Sequence, residues 1–421
     1  MTKKTPYPYV AVVIGALYVS QGLPSGLIAH ALPAFLREQG VSLVVISSLK
    51  LLALPWLLKF IWAPLIDASG CNSERFRWIF RMQSLMIIGL ILLSWTISSL
   101  SFAAVCIAIA ILLLINLAAS TQDIATDGFA VSHTPKQYLG LANSIQVSAY
   151  KVGMLIGGSG LLLLTPYLET PELIRGLSIG LILLFIPLIF FKRRYLSSAR
   201  SDIHAALEQE NQNKNVSSFK HIVMTYRGFF NQEGLKAWLA VLVTFKISDS
   251  LGSTMFKPML VDYGIALSDI GLLTIYSTIA GLAGAILAGS LYKLMGMKLA
   301  LLLFGAMQTI SVSSFFLVSV TSLSVHEIYA LAIIEQFCDG LSTVALFAVM
   351  MLNCRKLHEG ADYTIQASLQ IALAGIVGAS SGLIANFSGY TGLYAACLIF
   401  GVVSFLITLN YTRNMRATDS Y

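Results

Sequence analysis

The sequence predicts an all-α, polytopic membrane protein, and three observations carry that prediction. Of 421 residues, 57% are hydrophobic and only 11% are charged, where soluble domains average about 25% charged. Apolar runs of about 20 residues, the length that crosses a bilayer as a helix, recur from end to end. The connections are short with one exception. The formal excess of seven positive charges should then sort by membrane side and not mark a nucleic-acid surface.

Twelve spans follow in order. Span one, about 9–30, comes after MTKKTPYPY; no small-residue cleavage pattern closes it, so it is read as a retained span. Span two, 43–66, holds LKLLALPWLLKFIWAPLID (49–67). There Pro55 and Pro64 remove backbone donors and should kink the helix. Lys59 is expected to snorkel to the interface, with Trp56 and Trp62 as amphipathic anchors. Span three is 78–99. Span four, 101–130, ends in NLAASTQDIATDGFAV (116–131), and spans five and six are 138–163 and 174–192. Spans seven to nine are 236–260, 268–291 and 298–319. Span ten, 326–351, contains IEQFCDGL (334–341); spans eleven and twelve are 363–388 and 390–411.

This spacing divides the chain into an N-terminal six-helix bundle (1–192), a cytoplasmic linker (193–235) and a C-terminal six-helix bundle (236–421). The linker carries KRR at 192–194 and the polar run EQENQNKNVSS. Phe219, Ile222 and Val223 are helically spaced within it and suggest a surface helix. All but seven of the 27 Lys and Arg fall on one side of the membrane. The exceptions are Arg37, Arg175 and Lys257 on the other side, and Lys50, Lys59, Lys151 and Lys246 within spans. The positive-inside rule therefore puts both termini in the cytoplasm. Five cysteines (Cys71, Cys106, Cys338, Cys354, Cys397) lack metal or redox spacing and read as small apolar packers. No metal and no cofactor is expected.

The halves repeat in parallel. SIQVSAYKVGMLIGGSG (144–160) matches TIQASLQIALAGIVGAS (364–380), and LREQGVSLVVI (36–46) matches LVDYGIALSDI (260–270). Two six-span pseudo-repeats related by an axis along the membrane normal are how major facilitator transporters are built. Asp123 and Asp127 on span four, and Glu335 and Asp339 on span ten, each lie four apart on one helix face. A glycine, Gly128 or Gly340, follows the second acid. Carboxylates in hydrocarbon are costly, so all four are candidates for proton coupling. Lys151 on span five is the expected ion partner for Asp123 or Asp127, and Asp249 that for Lys246. Lys151, Tyr150 and Gln146 also offer a cationic, hydrogen-bonding face to an anionic substrate. Gln21, and Gln366 and Gln370 near the repeat position of Lys151, complete the substrate-binding candidates. Gly153, Gly157, Gly158, Gly378 and Gly382 read as close-packing faces.

QGLPSG (21–26), LPWLLKFIWAPLID (54–67) and TQDIATDG (121–128) resemble the major facilitator branch that contains the AmpG-type muropeptide permeases and the acetyl-CoA transporters. Within it the chain is most similar to bacterial siderophore permeases of the rhizobactin and pyochelin type. The resemblance implies a monomeric secondary transporter of the bacterial inner membrane, with a central cavity and alternating access. Its cargo would be a ferric siderophore imported with protons; a muropeptide, or an acetyl-CoA-like carrier role, is the alternative. Facilitator proteins carry an acidic–basic gate latch after span two, which makes Asp67, Arg75 and Arg77 gating candidates. A nucleotide motif of the GxxxxGK[ST] kind is absent, and no Ser/His/Asp set converges at a span end. A membrane-embedded enzyme is therefore the weaker reading.

Overall fold

The computed structural model describes residues 7–38, 49–68, 72–97, 102–196, 218–321 and 323–414. Every regular element among them is helical. Residues 39–48, which include the start of span two, and residues 197–217, about half of the linker, lie outside the described residues. Nine helices in the described chain are long and apolar enough to cross a membrane. Two of them, Leu267–Ser313 and Glu359–Asn414, are each divided by a kink. At those kinks Gly296 (φ 74°) and Gly389 (φ 69°) take the left-handed conformation that glycine adopts without cost. With the broken helix of span two, this accommodates all twelve predicted spans.

Span two breaks where the prolines sit. It runs as Leu49–Ala53, Leu54–Leu58, Lys59–Ile61 and Ala63–Ile66, alternating 3₁₀ and α turns, with Pro55 and Pro64 each in the first turn of an α piece. Span seven is also broken, between Leu235–Thr244 and Ile247–Asp262. Span ten, Val325–Leu352, starts on a capping box in which Ser324 and Glu327 satisfy each other's backbone N–H.

Two compact units result. Unit one is Met1–Thr134, Ser148–Phe229 and Cys354–Ser368; unit two is Pro135–Val147, Phe230–Asn353 and Leu369–Tyr421. The sequence changes unit at Phe229 and Phe230, inside the segment 193–235, but each half also lends a short segment to the other unit. Unit one packs around Leu27, Leu32, Met86, Leu90, Leu112 and Leu181. Unit two packs around Met259, Val312, Leu393 and the stacked rings of Phe256 and Phe315, 3.9 Å apart.

Spans one and five of unit one meet backbone to backbone. A Cβ on Gly157 would strike the Leu23 carbonyl, and one on Gly26 the Met154 carbonyl. Both helices widen into π turns along this seam, at Leu27–Ala31 and Ile156–Gly160. In unit two Gly378 leaves room for Thr254, whose Oγ1 would lie 3.0 Å from an added Cβ.

The linker does contain a helix, Ser218–Phe230. Phe219 and Val223 are exposed on it while Phe229 is buried. Tyr226 Oη donates to the Phe60 carbonyl of span two. An α-helix would have supplied that carbonyl with the N–H of residue 64, but residue 64 is proline.

Candidate functional site

Unit one holds a buried ion cluster. On the helix Phe102–His133, Asp123 and Asp127 share a face as their spacing predicts. Their cation is Lys59, not Lys151: Lys59 Nζ pairs with Asp123 Oδ2 and lies 3.8 Å from Asp127 Oδ2. Lys59 does not snorkel. Its side chain is 2% exposed, because the tight turn Lys59–Ile61 aims it at span four. Trp56 lies under the ammonium at 5.5 Å. The indoles expected as interfacial anchors instead donate to span four, Trp56 to Asn116 at 3.2 Å and Trp62 to Thr121 at 3.2 Å. Tyr18 Oη donates to Asp127 Oδ1. Tyr150 packs edge-on against Trp56. Gln21 is buried and donates to Thr126 Oγ1 at 3.3 Å, and Gln122 donates to Ser20 at 3.2 Å.

A second buried network in unit one joins the loop after span two to the start of span eleven. Arg75 reaches Asp67 Oδ1 through Nε (3.0 Å) and Nη2 (2.6 Å), and Glu359 Oε2 through Nη2 (2.7 Å). Asp67 Oδ2 accepts the Ala361 N–H at 3.1 Å. Glycine makes the approach possible: a Cβ on Gly128 would lie 2.9 Å from Arg75 Nε, and one on Gly360 would lie 3.1 Å from the Asp67 carboxyl. Burial holds the Asp67 carboxyl above the ordinary carboxylate range, although Arg75 and the Ala361 N–H draw it down. Arg77 takes no part; it is exposed and pairs with Glu74 on its own helix. Beside this network Arg355 grips Asp362 (Nη2 to Oδ1 2.7 Å, Nε to Oδ2 2.8 Å) and donates to the Thr225 carbonyl of the linker helix at 2.9 Å.

Unit two holds a cluster of similar composition built from different spans. Lys246, at the break in span seven, reaches Asp339 Oδ1 (2.7 Å), Ser342 Oγ (2.8 Å) and Asp249 Oδ2 (3.7 Å). Asp249 is thus its more distant partner. Gln308 Nε2 donates to both Asp249 Oδ1 (2.9 Å) and Glu335 Oε1 (3.1 Å), and Gln336 Nε2 donates to Glu335 Oε2 at 2.9 Å. Gly340 lets span ten close on span eight, where a Cβ would strike the Gly281 carbonyl. Gln366 donates to the Asp362 carbonyl (2.9 Å) and Gln370 to the Leu242 carbonyl. The second of these would be left open by the break in span seven. Gln146 is buried on span five.

The structure therefore assembles Asp123 with Asp127 at Lys59, Asp339 with Lys246, Glu335 with Gln308 and Gln336, and Asp67 with Arg75. Sequence reasoning missed Glu359 and Gln308 altogether. Glu359 had one available signal, the following Gly360; Gln308 had none.

Residues 14–379 match the Major Facilitator Superfamily. The chain is 24% identical to the anhydromuropeptide permease of Escherichia coli, over 94% of this chain and 79% of that protein. It is 23% identical to the putative transporter AmpG 4 of Rickettsia felis, over 93% of this chain and 94% of that one. Among solved structures it resembles a bacterial homologue of the iron transporter ferroportin (TM-score 0.68, 11% identity, 96% of this chain and 99% of that one). It also resembles the proton:xylose symporter XylE (TM-score 0.63, 15% identity, 96% and 94%). These likenesses show the shared fold. The relatives support the AmpG side of the resemblance and do not support the siderophore-permease side.

Proposed function

This chain belongs to the Major Facilitator Superfamily, and from that premise we propose that it carries anhydromuropeptides across the bacterial inner membrane, coupled to protons. The observation that carries the cargo is the similarity to the E. coli anhydromuropeptide permease along 94% of this chain. Such a cargo bears peptide carboxylates, and Lys151 and Tyr150 on span five are the proposed cationic and hydrogen-bonding contacts.

Coupling is supported by charge arithmetic. Each unit buries more carboxyl groups than cations, and buried like charges favour taking up a proton. The Asp67–Arg75–Glu359 network suits the gate. Alternating access asks residues 354–368, from the second half of the sequence, to leave Asp67 and Arg75 and return. Charge placement supports a cytoplasmic side for this network and for both termini.

A deletion strain carrying this chain on a plasmid tests the cargo. Uptake of radiolabelled anhydromuropeptide should depend on the plasmid, and growth on ferric siderophores as sole iron source should not. Plasmid-dependent siderophore growth with no muropeptide uptake would overturn the assignment.

A further inference from the structure

Among the ion pairs of the described residues, the unit-two cluster sets one cation, Lys246, beside three carboxyl groups. Lys246 serves Asp339 and Asp249, while Glu335 Oε1 accepts from the Gln308 amide and Oε2 from the Gln336 amide. Gln308 is buried, at 3% exposure. It places a single Nε2 between two carboxylates, and its Oε1 has no hydrogen-bond partner. Two carboxylates sharing a neutral amide at membrane depth repel each other, and burial strengthens that repulsion. A proton on either carboxyl removes the repulsion and creates an O–H donor. Gln308 carries the idle acceptor for it: half a turn of the amide puts Oε1 where Nε2 now lies, with almost no change in shape.

We propose that Asp249 and Glu335 share one exchangeable proton, that Gln308 is the residue positioning it, and that this pair carries the coupling proton in place of Asp123 and Asp127. The inference rests on the proton-coupled reading given above and names its site. In unit one the second carboxyl, Asp127, takes the Tyr18 hydroxyl and still has the Lys59 ammonium 3.8 Å away, beside its pairing with Asp123; Glu335 accepts from two neutral amides. The remaining titratable groups facing the unit-two pair are Cys338 of span ten and Tyr394 and Cys397 of span twelve. These are thiols and a phenol, uncharged near neutral pH. With the proton on Asp249, that carboxyl no longer competes for Lys246, and the ammonium is left to Asp339 and Ser342. Lys246 sits at the non-helical joint of span seven, so the redistribution of charge acts where that helix can bend.

Dicyclohexylcarbodiimide, which modifies protonated carboxyl groups in apolar surroundings, gives a test that needs neither cargo nor gradient. The purified full chain is treated between about pH 5 and 9 and the adducts are located by mass spectrometry. Adducts on Glu335 or Asp249 should grow as the pH falls, at pH values where Asp123 and Asp127 stay unmodified. Gln308→Leu should move the labelling midpoint by about one pH unit and move the pH profile of uptake with it. Adducts confined to Asp123 or Asp127, or a midpoint indifferent to Gln308→Leu, would overturn the proposal. If labelling behaves as expected but uptake ignores an imposed proton gradient, the site stands and the coupled-transport reading falls.

Discussion

Lys59→Met separates a structural ion pair from a working one. Methionine keeps most of the side-chain volume, so the change removes charge and little packing. The Lys59 side chain is 2% exposed, Asp123 9% and Asp127 1%, so solvent does little to screen the loss. Breaking a pair this deep costs about 3–5 kcal/mol. For units of this size that lowers the melting temperature on the order of 10 °C. Thermal unfolding of the detergent-purified protein, followed by tryptophan fluorescence, reads it directly. Lys59→Met with Asp123→Asn should recover much of the loss, because Asp127 keeps the Tyr18 hydroxyl. Lys151→Met with Asp123→Asn should show no such recovery, since Lys59 is the cation of that carboxylate. A Lys59→Met protein that melts with the native one, or a double variant no more stable than the single, would refute the pairing.

Glu359→Gln removes one of the two carboxylates on Arg75 and should cost about 1–3 kcal/mol. It should also speed thiol labelling at Ala361→Cys, a buried position, and an unchanged labelling rate would take Glu359 out of the gate. Gly157→Ala drives a methyl into the Leu23 carbonyl and should destabilise by about 1–3 kcal/mol. Gly176→Ala, with nothing within 4 Å, is the matched control, and equal melting temperatures would remove the close seam. Burial and the Arg355 guanidinium hold His358, outside the spans, below the usual histidine range. The unfolded chain then takes the proton first, and stability should fall as the pH drops below about 6.5. His358→Gln should flatten that limb, and an unaltered profile would clear His358 of it. In intact cells a membrane-impermeant maleimide should reach Lys257→Cys and not Arg77→Cys; the opposite pattern would invert the topology.

What could be read from the sequence was local. The kinks of span two follow from two missing N–H groups at Pro55 and Pro64, and the shared faces of the paired acids follow from a spacing of four. Their cation could not be read, because the choice between Lys59 and Lys151 turns on helix rotation and on a 3₁₀ turn that only the folded bundle defines. Gln308 looks like any polar residue in an apolar run; its meaning appears only when spans seven, nine and ten converge. The motifs at 21–26, 54–67 and 121–128 lie where spans one and two pack on span four. They mark the shared scaffold, and cargo does not follow from them.

The carbonyl that Pro64 leaves open on Phe60 is completed by a hydroxyl 166 residues further along the chain. A ribosome releasing this protein therefore delivers the first six spans with one acceptor of span two unfinished. Water must serve it until residues 218–230 emerge and fold. The hydrogen bonding of the first half is thus completed by a segment that, by count of spans, belongs to neither half.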